Sequence, residues 1–362
     1  MIVNRAKNKS LYKQIYDNLK NEIIEGKYKE FDLLPSEREL SDRFQVDRIT
    51  VRKSLELLVE DGMVEKKAGL GTIIKGLPIT NTIQSGARNI LFVMPKSRNS
   101  VDRITETIHA NLFYIIEKEC KKKDYSLIYT TLDEDDDMSK VFNGNSISGI
   151  FFVSKINEKF LEESKKLTIP SVLINNYKEN FTSVLADNEN GAYEAVKYLH
   201  KNGHERIGII LGIADYFSSQ ERFNGYKKAL LEFASDCPSN FIKNGDWTFE
   251  GGFKAMNEII KEGEKLPTAI FACNDITAFG IIEAIKEVEL SVPGDISVIG
   301  FDNIAQCEYM TPKLTSVAVD VDTTAKAACQ QLFSIIETQT DLKLRIVIPT
   351  KLVIRNSVEN IL

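Results

Sequence analysis

The chain has 362 residues, of which 43% are hydrophobic and 27% charged, with a formal net charge of -6. Such a length predicts two or three domains with sizeable cores, and the acidic balance excludes a surface that grips nucleic acid or membrane indiscriminately. The charge is uneven: residues 1–76 carry 15 Lys and Arg against 13 Asp and Glu, and the remainder 31 against 39. The start, MIVNRAKNKSLYKQIY, has no apolar leader, and no stretch reaches the roughly 18 apolar residues of a membrane span, so a cytoplasmic protein without membrane contact is expected. Five cysteines, Cys120, Cys237, Cys273, Cys307 and Cys329, show no CxxC spacing. They are expected to be reduced and buried, not disulfides or zinc ligands.

In chain order, Leu11, Ile15, Leu19 and Ile23 recur every four residues and predict a first helix that Gly26 ends. Ser36 after Pro35, with Glu39 three residues on, has the capping-box pattern for a short helix through Phe44. The turn QVD leads into a third helix with Asp47 as its N-cap. At 100° per residue, Val51, Leu55 and Leu58 form its buried stripe, and Arg48, Arg52, Lys53 and Glu56 share an adjoining exposed arc. That helix is expected to end near Asp61 and Gly62. MVEKKAGLGTIIK then reads as two short strands around a glycine turn, with Lys66 and Lys67 beside the tip. Three helices and a hairpin make a winged helix-turn-helix. An Arg fork on the third helix suits guanine O6 and N7, Thr50 suits a base edge or phosphate, and the helix N-terminus favours phosphate.

The segment LLPSERELSDRFQVDRITVRKSLELLVEDGMVEKKAGLGT closely resembles the DNA-binding domain of the GntR family of bacterial transcriptional regulators, over about residues 8–76. Its specific parts are the Pro-Ser-Glu-Arg-Glu-Leu entry, the Arg-Ile-Thr-Val-Arg start of the third helix and the Gly-x-Gly-Thr wing. The resemblance implies DNA contacts by Ser36, Arg38, Arg48, Thr50 and Arg52, and minor-groove or phosphate contacts by Lys67 and Gly69. Glu37 matches too, but capping alone explains it.

From Arg88 onward, short apolar runs alternate with helical segments: NILFVM, YSLIYT, ISGIFFVS, PSVLIN, TSVLAD, RIGIIL, TAIFAC and DISVIG. Continuous Val/Ile/Leu runs indicate parallel strands buried on both faces, hence a doubly wound α/β architecture, and the length of this region favours two similar lobes. Ligands in such sheets bind beyond the carboxyl ends of the strands. The polar residues placed there are Asn274 and Asp275, Asp302 and Asn303, Ser218 and Arg222, and Lys96 and Ser97. Amides, carboxylates and an arginine in one cleft suit a polyhydroxylated ligand, and the single tryptophan, Trp247 in NGDWTFEGG, offers an aromatic face to a sugar.

Six ordered segments, ADNENGAYEAVKYLHKNGHERIGII, ERFNGYKKAL, GDWTFEGGFKAM, FACNDITAFGIIEAI, VPGDISVIGFDN and TPKLTSVAVD, resemble the LacI/GalR effector domain, itself similar to periplasmic sugar-binding proteins. The resemblance covers about residues 88–358. Together with the GntR-like segment it implies a winged helix-turn-helix domain at 1–76 and a bilobal periplasmic-binding-protein-like domain at 89–362, and residues 77–88 between them, which lack strong periodicity, read as a linker. In that domain the N-lobe is expected at 89–187 and 320–349 and the C-lobe at 188–316, with crossings near Asp187, Val317 and Pro349. It also implies ligand contacts by Lys96, Ser218, Arg222, Trp247, Asn274 and Asp302, with Asp275 in the same motif as a contact or a support. Val319 stands where many sugar-responsive members place Gln, and the usual LacI headpiece and hinge helix are replaced by the winged helix. That hybrid resembles the arabinose-operon repressors of Gram-positive bacteria.

No HExxH, GxSxG or GxxxxGK motif accompanies the three histidines, His109, His200 and His204, so neither an enzyme nor a cofactor or metal site is expected. Gly203 between His200 and His204 opposes a metal pair, and the acidic run Asp133 to Asp137 reads as a solvated loop. The expected partners are double-stranded operator DNA, a small sugar effector and a second copy of the chain as a homodimer. The expected role is a sugar-responsive repressor. Alternatives are a corepressor-dependent or non-sugar-responsive factor of the same architecture, and a sugar-binding transport component.

Overall fold

The computed structural model describes residues 10–24, 27–28, 32–60, 63–67, 70–74, 88–96, 104, 106–133, 135–136, 147–233, 239–262 and 265–362. Gly26, Asp61, Gly62, Gly69, Ser97, Cys237 and residues 77–87 of the expected linker lie outside them. Packing divides the chain into Met1–Thr82 and Ile83–Leu362.

In the first unit, α1 (Leu11–Ile24) buries Ile15, Leu19 and Ile23, the residues its four-residue spacing selects. Helix α2 (Glu37–Phe44) starts at a complete capping box: Ser36 accepts the Glu39 N–H, and the Glu39 carboxylate accepts the Ser36 N–H at 2.7 Å. Two of the donors that a helix start leaves unpaired are thereby satisfied. Gln45, at φ 51°, turns the chain into α3 (Arg48–Glu60). There the Asp47 carboxylate accepts the Thr50 N–H at 2.7 Å. Val51, Leu55 and Leu58 of α3 close the core on Leu40 and Phe44. Strands β1 (Val64–Lys67) and β2 (Gly71–Ile74) pair antiparallel from Val64↔Ile74 to Lys67↔Gly71. Gly71 sits at φ +113°, where a Cβ is strained.

The second unit is two six-stranded sheets. The first has the order β13-β7-β6-β5-β3-β4, from β3 (Asn89–Pro95), β4 (Ser126–Leu132), β5 (Ile147–Val153), β6 (Ser171–Ile174), β7 (Thr182–Ala186) and β13 (Arg345–Ile348), all parallel. Its strands read as unbroken apolar runs because both faces are covered. Alternate residues Ile90, Phe92 and Met94 meet α4 (Thr107–Lys122) and α10 (Val321–Thr338), whereas Leu91 and Val93 meet α5 (Glu158–Lys166).

The second sheet has the order β14-β12-β11-β10-β8-β9, from β8 (Ile207–Leu211), β9 (Ile242–Asn244), β10 (Ala269–Ala272), β11 (Ser297–Asp302), β12 (Thr315–Ala318) and β14 (Lys351–Val353). It is parallel except at β12–β14. Helices α6 (Asn188–Lys201) and α7 (Phe217–Phe233) cover one face, and α8 (Phe249–Glu262) and α9 (Asp275–Glu287) the other. The chain therefore passes between the sheets three times, after β7, after β12 and after β13. After the last passage β14 and the following tail stay with the second sheet: Ser357 Oγ donates to Val298 O, and the Ile361 N–H donates to Asn202 O.

Cys120, Cys273, Cys307 and Cys329 are free and buried. His200 stacks on Phe233, and buried His204 lies 3.1 Å from the Glu359 carbonyl, so the two imidazoles serve packing. Among the described residues no helix is long and apolar enough to cross a membrane.

Candidate functional site

Two sites emerge, one in each unit. On the first, α3 presents exposed Arg48, Arg52 and Lys53, and α2 adds exposed Arg38. Arg52 is aimed by a neighbour: Glu37 accepts from its Nε at 3.2 Å and its Nη2 at 2.9 Å, and lies 3.6 Å from Lys66 of β1. The Arg52 hydrogen bond holds the Glu37 carboxyl below its ordinary range. Glu37 thus ties α3 and the wing together, a role that the capping reading of the sequence missed. The Ser36 hydroxyl donates to Glu39 at 2.8 Å, and the Thr50 hydroxyl donates to Asp47 at 3.1 Å. Both hydroxyls keep an acceptor lone pair but have spent their proton locally. Lys67 is exposed at the end of β1. Two apolar side chains stand out beside these cations: Ile49 is 78% exposed at the start of α3, and Leu70 is 64% exposed at the hairpin tip. Leaving them in water gains nothing for the fold, and each is suited to a thymine methyl or a groove wall.

The second site lies where strands of both sheets end. A cavity is lined by Ser154 after β5, Asn175 after β6, Asn274 after β10, Asp302 at the end of β11 and Val319 after β12, as the geometry of parallel sheets dictates. Ser218, Arg222, Trp247, Glu106 and His109 complete the wall, so residues of both lobes face one space. Ser154, Asn175, Trp247 and Asp302 all have positive φ, and Asp302 reaches 104°. Backbone strain held by surrounding structure concentrates at binding sites.

Arg222 is the centre of this arrangement and is only 6% exposed. Its Nε donates to Asn188 Oδ1 at 2.9 Å, Nη1 to the Cys273 carbonyl, and Nη2 to Asp302 Oδ1 at 3.2 Å. Its guanidinium lies 3.7 Å from the Phe301 ring centroid and 5.2 Å from that of Trp247. The indole packs on Gly212, where an added Cβ would come within 2.2 Å of the ring, so no larger residue fits there. Asn274 caps α9 by accepting the Thr277 N–H at 2.9 Å and donates to the Trp247 carbonyl at 3.1 Å. It lines the cavity and also fixes the tryptophan loop.

Asp275 is placed differently. It is 1% exposed and lies behind the wall, where its carboxylate accepts from Ser316 Oγ at 2.5 Å and the Ile304 N–H at 2.8 Å. It supports the Asp302 loop without lining the cavity. Lys96 stands apart from Arg222, in an adjoining chamber, 3.3 Å from Asp133. His109, Glu106 and Tyr216 also line the cavity, and nothing in the sequence singles them out. Ser154 and Asn175 were within reach, since each directly follows an apolar run.

Burial pushes the carboxyls of Asp302 and Asp275 up from the ordinary range, and their mutual repulsion adds to the shift of Asp275. A carboxyl raised on folding binds its proton more tightly in the native state, so stability is greatest at acid pH and is lost as pH rises toward neutrality. The melting temperature of the ligand-free chain is therefore expected to fall more steeply between pH 5 and pH 8 than that of Asp275→Asn, measured by scanning calorimetry. Parallel slopes would contradict this.

Among the described residues, two buried atoms at the cavity have no hydrogen-bond partner, Asn175 Oδ1 and Trp247 Nε1, while His109 Nδ1 lies 3.0 Å from the Glu106 carboxylate. Each unmet bond costs about 1–3 kcal/mol, and a hydroxylated ligand supplies the missing donors and acceptors.

Residues 11–74 match the model of bacterial regulatory proteins of the gntR family, and residues 196–358 match that of the periplasmic binding protein-like domain. The probable transcriptional repressor ExuR of Bacillus subtilis is 32% identical over 243 residues, 66% of this chain and 72% of that protein. A putative LacI transcriptional regulator from Bacillus cereus subsp. cytotoxis has a similar crystal structure, with TM-score 0.71 and 26% identity over 76% of this chain and 99% of that one. A LacI family regulator from Enterococcus faecium with bound ribose shares the fold, with TM-score 0.66 and 23% identity over 75% of this chain and all of that one. Two modules in this order, with a repressor relative matched over most of its length, identify the chain as a member of the bacterial transcriptional repressors that join a DNA-binding head to a LacI-type periplasmic-binding-protein-like effector domain.

Proposed function

We propose that the protein is a cytoplasmic repressor that holds a palindromic operator as a homodimer and releases it when a small neutral sugar, arabinose being the first candidate, enters the cleft. The observation that carries this reading is the buried Arg222–Asp302 pair beside Trp247, with unmet hydrogen-bonding atoms around it. A charged fork and carboxylate bond two adjacent hydroxyls, and an indole covers a C–H face. Ribose in the related Enterococcus faecium regulator favours the same ligand class.

Arg38, Arg48, Thr50 and Arg52 meet the major groove in this reading, Ser36 meets a phosphate, and Lys67 and Gly69 meet the minor groove or phosphates. Closure of the lobes on the sugar changes the spacing of the paired heads, and two-fold symmetry makes that spacing the determinant of operator affinity. The coupling required is typical of allosteric proteins, about 1–3 kcal/mol per site.

A thermal-shift screen of pentoses, hexoses and their phosphates tests the ligand class. A sugar at 100 times its dissociation constant is expected to stabilise the fold by about 2.7 kcal/mol. No stabilisation by any sugar, together with a clear shift from a non-sugar metabolite, refutes the sugar assignment.

A further inference from the structure

We infer that Ile49 is a specificity-determining residue of the head: it packs on the 5-methyl group of a thymine and so selects an A·T pair beside the guanine that Arg52 reads. This rests on the operator-binding reading and adds to it a contact that carries no charge and forms no hydrogen bond.

Ile49 is the second residue of α3 and, at 78%, the most exposed large apolar side chain described in the first unit; Val59 near the other end of the helix is 39% exposed. At about 100° per residue it lies roughly 160° round the helix from the buried Val51, between Arg52 and Lys53. Both cations are held in place: Arg52 is forked on Glu37, and the Lys53 ammonium lies 4.9 Å from the Tyr12 ring centroid. The Asp47 carboxylate, at the start of the helix, is spent on the N–H and the hydroxyl of Thr50. The surface around Ile49 is therefore cationic, and the partner it fits is a polyanion that presents an apolar group. Glu56 shares the exposed arc but stands two turns on, about 10 Å along the axis, which confines the base-reading stretch to the first turns of α3.

In the major groove of duplex DNA the base edges carry N–H donors and N or O acceptors, and the thymine methyl is their one apolar group. An isoleucine set against an amino group or a guanine oxygen covers a polar atom without bonding it, whereas against the thymine methyl it removes apolar surface of both partners from water. Discrimination thus has a repulsive as well as an attractive part. Ile49 and Arg52 are three residues apart, which separates their Cβ atoms by about 5–6 Å, while successive base pairs rise by about 3.4 Å, so the thymine stands roughly one or two base pairs from the guanine. Thr50 also carries a methyl group, but it is half-buried and its hydroxyl is bound to Asp47.

The test uses the duplex that the full chain enriches from a randomised library, with each thymine replaced in turn by deoxyuridine, which lacks only the methyl group. Fluorescence anisotropy on the unaltered chain is expected to find one thymine per half-site, beside the guanine, where the replacement weakens binding about fourfold, the worth of one buried methyl group. Ile49→Ala is expected to bind the thymine duplex at least about fivefold more weakly and to treat thymine and deoxyuridine at that position alike within about twofold. Its melting temperature stays unchanged, since the side chain is exposed and Ala favours a helix. Ile49→Val keeps a branched apolar side chain and retains the preference for thymine. Three results overturn the assignment and leave the operator-binding reading standing: indifference to deoxyuridine at every position, a thymine preference that survives in Ile49→Ala and so belongs to Thr50, or an Ile49→Ala chain with unchanged DNA binding and an altered oligomeric state. A library from which the full chain enriches no duplex removes the operator-binding reading, and the inference with it.

Discussion

Arg222→Ala is expected to abolish sugar binding, with at least a 100-fold rise in dissociation constant, and to leave a repressor that holds its operator but ignores the effector. The guanidinium satisfies Asn188 Oδ1, the Cys273 carbonyl and Asp302 at once, so truncation removes the ligand's partner and three internal bonds together. Breaking a buried pair from one side typically costs about 3–5 kcal/mol, because the other charge stays buried alone. The fold is therefore expected to weaken as well, and Asp302→Asn separates the two effects. Asn tolerates the positive φ of position 302 and still accepts from Arg222, so the fold is retained while the carboxylate is lost to the ligand. Titration calorimetry on Asp302→Asn is expected to show at least a tenfold loss of sugar affinity with an almost unchanged melting temperature. Unchanged affinity would remove the pair from the binding site.

The mirror-image result is expected in the head. Arg52→Ala should weaken operator binding by about 1–3 kcal/mol, a factor of roughly 5 to 150, and leave sugar affinity intact. Its guanidinium is already forked on Glu37, and the exposed ion pair contributes little to stability, so the loss reads out on DNA and not on folding. Glu37→Gln is the companion test. If Glu37 acts by aiming Arg52, its replacement reduces discrimination between operator and non-cognate duplex more than it reduces overall affinity. Equal loss of operator and sugar binding in Arg52→Ala would show that the two roles are misassigned.

Much of this architecture is legible because local chemistry and global packing agree. The Ser36–Glu39 capping box, the Val51–Leu55–Leu58 stripe and the apolar runs from β3 to β11 are short-range patterns, and each has a single physical cause. The rule that ligands lie past strand ends located Asn274 and Asp302, and applied evenly it also reaches Ser154 and Asn175. His109 and Glu106 were not legible: they enter the cavity from the first turn of α4 and the residue that precedes it, which no strand-end pattern marks. Asp275 shows the opposite limit. Its neighbour Asn274 lines the cavity, but as the first residue of α9 Asp275 turns behind the wall to hold Ser316 and Ile304. Only the three-dimensional course of the helix separates a contacting residue from a supporting one.

The most direct measurement is a fluorescence-anisotropy titration of the full chain against labelled duplex from its own promoter region, repeated at saturating concentrations of whichever sugar raises its melting temperature. Tight, salt-sensitive binding to a palindromic fragment that is lost on adding the sugar is the predicted result. A chain that ignores every such duplex, or that holds one with the same affinity whether or not the cleft is filled, contradicts the account.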